Sequence, residues 1–139
     1  MPIANPFHSY RQAAVTTADR GELLIMTYEA ILRWLARSRL AIESGNVVDS
    51  HEGLINAQKL VANLSISLDF EKGGEIAQNL RTLYDYVTDR LMWANINKDT
   101  ATIDAVVGLL RPLLEAWRSA VAQTRKDPGM LAAVSQPIA

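Results

Sequence analysis

Histidine and cysteine are the residues that could give this chain a nucleophile or a metal site, and there are few of them. The sequence has no cysteine and two histidines, His8 and His51. A di-metal site in a helical bundle requires Glu-x-x-His pairs, but Asn5 and Val48 stand three positions before the histidines. Without cysteine there is no thiolate nucleophile, disulfide or zinc–thiolate site. We therefore expect no metal, no cofactor and no catalysis.

One catalytic alternative centres on His51. A four-helix bundle with one exposed histidine on its second helix is the plan of histidine phosphotransfer domains. Those domains usually place leucine two residues after the histidine and Lys-Gly at the following two positions, where this chain has Gly53, Leu54 and Ile55. We predict an ordinary histidine near the start of a helix and keep phosphotransfer through His51 as the alternative.

The composition indicates a globular protein without a general attraction to nucleic acid. Hydrophobic residues make up 49% of the 139 residues and charged residues 21%, and the formal net charge is −1. These values are typical of a folded domain rather than a disordered or strongly basic chain. No apolar run approaches the ~18 residues of a membrane span, and no signal peptide is visible after Met1. We expect a cytosolic protein without membrane insertion.

Four segments carry apolar residues at helical spacing. Helix one is expected to start at Asp19, with Glu22 completing a capping box, and to end at Gly45. Helix two is expected over 47–68, helix three over 75–96 after a turn at 69–74 containing Gly73 and Gly74, and helix four after Asp99 or Thr100. The expected core residues are Leu24, Tyr28, Ile31, Leu35, Ser38 and Ile42 on helix one; Leu54, Ala57, Val61, Leu64 and Leu68 on helix two; Ile76, Leu80, Leu83, Val87, Leu91 and Ala94 on helix three; and Ile103, Val106, Leu110, Leu113 and Trp117 on helix four.

Short turns between four amphipathic helices predict an all-α fold, an antiparallel up-down four-helix bundle. The bundle would occupy residues 18–125, between an N-terminal arm (1–17) and a C-terminal tail (126–139). Pro2 and Pro6 keep the arm from forming a regular helix. Pro112 lies inside helix four and predicts a kink near 108–112.

Three helices carry more apolar residues than one core face requires. Broad core flanks would explain any one of these second stripes, but three together favour an exposed apolar groove for a partner. The second stripes comprise Leu23, Trp34 and Ala41 on helix one, Ile55, Ala62 and Ile66 on helix two, and Tyr86 and Trp93 on helix three. Arg33, Arg37 and Arg39 form a basic cluster, which is either a solvated helix face or a patch for an acidic partner.

The third helix and its approach carry a specific string. From Leu68 the sequence reads LDFEKGGEIA, and the motif LYDY follows at 83–86. Further matching residues are Tyr10, Thr17-Ala18, Glu22-Leu23-Leu24, Met26, Tyr28, Asn79-Leu80, Arg90-Leu91, Ala94-Asn95, Asp99 and Ala116-Trp117. Over roughly 10–117 the chain resembles the FliS family of flagellar secretion chaperones.

The resemblance implies a cytosolic chaperone that holds flagellin unpolymerised before export. Its partners would be the C-terminal segment of flagellin, disordered in the monomer, and the flagellar type III export gate; a homodimer is left open, and no cofactor is implied. The flagellin-binding candidates are Tyr10 of the arm together with Leu23, Trp34, Ile55, Ala62, Ile66, Tyr86 and Trp93. A helical adaptor that binds only folded proteins is the remaining alternative.

Overall fold

The computed structural model describes residues 20–123, and this range forms four α-helices without a strand. The helices are α1 (Arg20–Glu43), α2 (Val47–Ile66), α3 (Phe70–Asn97) and α4 (Thr100–Ala122). The predicted arm and tail, with Tyr10 and the predicted cap Asp19, lie outside the described residues.

The four helices close into a ring of neighbours. Helix α1 contacts α2 and α4, and α3 contacts the same two helices from the other side. Connections of two or three residues join successive helices, and connections this short make sequence neighbours antiparallel. The predicted all-α four-helix bundle is confirmed.

The turn between α1 and α2 is built around Gly45, as predicted. Gly45 has a φ of 75°, its N–H donates to the Ile42 carbonyl at 3.1 Å, and the Asn46 N–H donates to the Ala41 carbonyl at 2.8 Å. This pair of bonds satisfies the last carbonyls of α1. Asn46 then caps α2 by accepting the Asp49 N–H at 3.1 Å, which places Asp49 as an acidic residue in the first turn.

Helix α3 begins earlier than predicted, because the expected turn at 69–74 contains a helical turn. The Asp69 carboxylate accepts the N–H groups of Glu71 and Lys72, each at 3.0 Å, and so satisfies the first donors of a helix that starts at Phe70. Gly74 interrupts it locally with φ 50° and ψ −121°, a conformation that glycine tolerates best.

The core contains most of the residues predicted for it, with four shifts of one position, one of which places Ala41 in the core while the predicted Ile42 is half-buried. Ile76 is 42% exposed and Leu83 is half-buried, whereas Ala77 and Tyr84 are buried. On α4, Leu114 is buried and Leu113 only half-buried. By hydrophobicity alone, Leu83 suits the core better than Tyr84. The sequence does not show that the Tyr84 hydroxyl has a hydrogen-bond partner inside the bundle.

That partner is Tyr28, and the two tyrosines meet at the centre of the bundle. Their hydroxyl oxygens are 2.7 Å apart, which joins the diagonally opposed helices α1 and α3. The Tyr28 ring also makes edge-to-face contacts with Tyr84 and with Trp117 of α4, at centroid distances of 6.5 and 6.4 Å. Burial raises the pKa of both phenols above the ordinary value of 10.0.

Gly53 determines how closely α1 and α2 approach one another. At Gly53 an added Cβ would lie 2.1 Å from Ser38 Oγ and 3.0 Å from the Trp34 carbonyl oxygen, so this glycine permits the close approach of α1 and α2.

Helix α4 continues through Pro112 without a break. Pro112 has no N–H to donate to the carbonyl of Gly108, four residues earlier. Because both residues are exposed, that carbonyl is open to solvent.

Candidate polypeptide-binding surface

Large apolar side chains are exposed mainly on three of the four helices. Among the predicted binding residues, Ile66 is 78% exposed, Tyr86 53% and Trp93 49%, and Ala62 is also exposed. Further exposed apolar residues on these helices are Val47, Val48, Phe70, Ile76, Met92, Ile96 and Leu109. Exposed apolar patches are typical of partner-binding surfaces.

A cleft between α3 and α4 forms one part of this surface. Its volume is about 260 Å³. Tyr86 and Arg90 of α3 form one wall, and Ala101, Ala105 and Leu109 of α4 form the other. The two alanines leave space beside Leu109, so the cleft can accept an apolar side chain from a partner.

The outer face of α2 and α3 forms the other part. His51 of α2 accepts a hydrogen bond on Nδ1 from Asn95 Nδ2 of α3 at 2.8 Å, which orients this side of α2 toward α3. Ile55, Ala62 and Ile66 follow His51 along the same side of α2. Ile55 is half-buried, whereas Ala62 and Ile66 are exposed.

The candidates on α1 do not join this surface. Ala41, predicted outside the core, is buried at 7% exposure, because the close contact of α1 with α2 covers this flank. Trp34 is half-buried and packs against the core, and the Arg37 guanidinium lies 4.9 Å from the centre of its ring. Leu23 is half-buried on the same flank of α1.

Sequence reasoning missed the α4 wall of the cleft. Ala101, Ala105 and Leu109 recur at spacing four beside the core residues Val106 and Leu110. That spacing is a usable signal, but small alanines beside a strong core stripe do not distinguish an open cleft wall from the edge of the core. Met92 and Ile96 of α3 were also missed.

The side formed by α1 and α4 is charged instead. The Arg39 guanidinium donates two hydrogen bonds to the Asp104 carboxylate, at 2.7 and 3.0 Å, and these bonds lower the pKa of that carboxyl. Arg118 of α4 donates to Glu29 of α1 at 2.7 Å. The bundle therefore has an apolar side on α2, α3 and α4 and a charged side where α1 meets α4.

Two kinds of site do not occur within residues 20–123. No group of three or more histidine, aspartate or glutamate side chains is placed to hold a metal ion. No helix in this range is long and apolar enough to span a membrane.

Known proteins similar to this chain identify its family. The family model for "Flagellar protein FliS" matches residues 3–124. The chain belongs to the FliS family. The family resemblance found in the sequence is thus confirmed.

Two relatives show how far the FliS similarity extends. The flagellar secretion chaperone FliS of Bacillus subtilis is 35% identical over 127 residues, which cover 91% of this chain and 94% of that protein. The flagellar secretion chaperone FliS of Salmonella typhimurium is 43% identical over 108 residues, covering 77% and 80% of the two chains. The chain is accordingly a flagellar secretion chaperone of the FliS family and not an enzyme.

Proposed function

We propose that this chaperone binds the disordered C-terminal segment of flagellin in the bacterial cytosol, prevents premature polymerisation and delivers flagellin to the flagellar type III export gate. Family membership supports a flagellar client. The observation that carries the choice of an unfolded segment is the exposed apolar surface on α2, α3 and α4, with the cleft at its α3/α4 edge.

This surface suits an amphipathic segment that folds as it binds. Such a segment lays apolar residues at helical spacing into a groove and leaves its polar side in water. Ordering the segment costs conformational entropy, which burial of apolar area offsets at about 25 cal/mol per Å². Ile66, Trp93 and Tyr86 offer that area, and the space beside Ala105 accepts an anchoring side chain.

Co-purification with flagellin tests the proposal. Full-length flagellin should be retained by the immobilised chaperone, and flagellin lacking its C-terminal segment should be lost. The isolated C-terminal peptide should bind in calorimetric titration with one site per chaperone. Equal retention of both flagellins would contradict the proposal and favour an adaptor that recognises folded protein.

The phosphotransfer alternative has its own assay. A phosphorylated response regulator should transfer no label to this protein, because the Lys-Gly pair expected after such a histidine is absent around His51. Label transfer that disappears in His51→Ala would establish the alternative.

A further inference from the structure

A second cleft lies on the charged side of the bundle, between α1 and α4. It has a volume of about 360 Å³, and Leu32 and Leu114 supply its apolar lining. Leu114 is buried and Leu32 half-buried, so the base of the cleft is continuous with the core. Charged side chains make up the rest of the lining.

The charges in this cleft are unevenly matched. Arg118 donates to Glu29 at 2.7 Å and also to Glu115, so both glutamates are engaged by one arginine. Arg33 and Arg111 line the same cleft, and neither makes an ion pair or hydrogen bond within residues 20–123. Three arginines against two glutamates leave the cleft positive in a chain whose net charge is −1.

Unlike Arg33 and Arg111, the neighbouring arginines of α1 have partners. Arg39 is held by Asp104 and by Glu43, the latter at 2.9 Å, and Arg37 lies over the Trp34 ring. The basic cluster read from the sequence therefore separates in the structure: two of its members have partners, and Arg33 faces the same cleft as Arg111. A guanidinium without a partner keeps all of its N–H donors for a carboxylate, which it can hold through two parallel bonds.

We propose that the α1/α4 cleft binds a carboxylate-rich segment of a partner polypeptide. Arg33 and Arg111 each bind one carboxylate of that segment, and Leu32 contacts apolar atoms between the two. The cleft lies on the opposite flank of α4 from Ala101, Ala105 and Leu109, so an acidic partner can bind while the apolar surface is occupied. The proposal rests on the charges of this cleft and is independent of which client the apolar surface takes.

The test is a titration of the full-length 15N-labelled protein with a capped helical peptide whose glutamates recur at i, i+4 spacing beside leucines. Backbone amide signals of α1 and α4 around Arg33 and Arg111 should shift, and those around Tyr86 should not. A matched peptide with glutamine at every glutamate position should bind about tenfold more weakly. Raising the ionic strength should weaken binding of the acidic peptide only, because salt screens exposed charges.

Paired variants complete the test. Arg33→Ala with Arg111→Ala should lower affinity for the acidic peptide about tenfold while the flagellin peptide binds unchanged. Lys59→Ala with Arg81→Ala removes the same charge from exposed positions of α2 and α3 and should change affinity less than about twofold. Equal losses in the two double variants, shifts spread over the whole surface, or tighter binding of a single-stranded oligonucleotide at the same amides would overturn the proposal.

Discussion

Two glycines on the bundle helices are expected to respond to the same substitution in opposite directions. Gly53→Ala places a methyl group 2.1 Å from Ser38 Oγ, and Ser38 is held by a hydrogen bond to the Ser50 carbonyl at 3.1 Å. We expect a loss of about 1–3 kcal/mol in unfolding free energy, as for overpacked cores. Gly108 has no atom within 4 Å of the added Cβ, so Gly108→Ala should stabilise α4 by about 0.5–1 kcal/mol. Urea unfolding of both variants is the measurement, and a stable Gly53→Ala would show that α1 and α2 can separate without cost.

Exposed isoleucine and leucine provide a residue-level test of the apolar surface. Ile66→Asp should weaken binding of the flagellin C-terminal peptide about tenfold or more, equivalent to about 1.4 kcal/mol, with little change in melting temperature because Ile66 is 78% exposed. Leu40→Asp is the matched control, since Leu40 is 66% exposed but lies on α1. Calorimetric titration and thermal melting of both variants separate binding from folding. Equal affinity of the two variants would remove Ile66 from the binding surface.

Ile55 and Trp93 extend this comparison. Trp93→Ala should reduce binding with a small effect on stability, because half of the side chain is exposed. Ile55→Asp should reduce both, because Ile55 is half-buried and a carboxylate there loses part of its hydration.

Among the elements, α3 shows what the sequence could and could not predict. Its core residues Leu80, Val87, Leu91 and Ala94 are predicted correctly because the helical period is strong over that stretch. Its start was missed because the Gly73-Gly74 pair is a strong turn signal, whereas the capping bonds of Asp69 become visible only in three dimensions. The cleft wall on α4 was missed for a related reason: which flank of a helix stays open depends on how its neighbours pack.

The cap of α3 yields a prediction at the same scale. Asp69→Ala removes the acceptor for the Glu71 and Lys72 N–H groups and should destabilise the protein by about 1 kcal/mol. Asp69→Asn keeps an acceptor oxygen and should recover most of that loss. The measurement is the urea midpoint together with amide exchange of residues 70–73. Equal stability of the alanine and asparagine variants would show that this cap contributes nothing.

At the scale of the whole molecule, the buried tyrosines set an alkaline limit on stability. Burial raises the pKa of Tyr28 and of Tyr84 above 10.0, so the folded protein holds both phenols neutral where the unfolded chain would ionise them. Their contribution is complete below pH 10 and is lost as the pH rises toward the folded-state pKa values. Unfolding free energy should therefore fall steeply above pH 10.

A double variant isolates this effect. Tyr28→Phe with Tyr84→Phe removes both hydroxyls and retains the ring contacts, so neither hydroxyl is left without a partner. Its unfolding free energy should decline less between pH 10 and 11 than that of the original protein. Urea titrations across this range are the measurement, and parallel declines would assign the alkaline limit to other groups.

The Tyr28–Tyr84 hydrogen bond also selects among alternative alignments of the helices. Contacts among leucine, isoleucine and valine side chains do not specify one alignment of the helices. A helix displaced by one turn, about 5.4 Å, could still bury many of these side chains. Such a displacement would separate the two hydroxyls, which lie 2.7 Å apart across the diagonal of the bundle, and each buried hydroxyl without a partner costs about 1–3 kcal/mol. One bond between helices that are not neighbours in the chain thus discriminates against slipped registers, and it keeps the apolar surface of α2, α3 and α4 in one arrangement while no partner is bound.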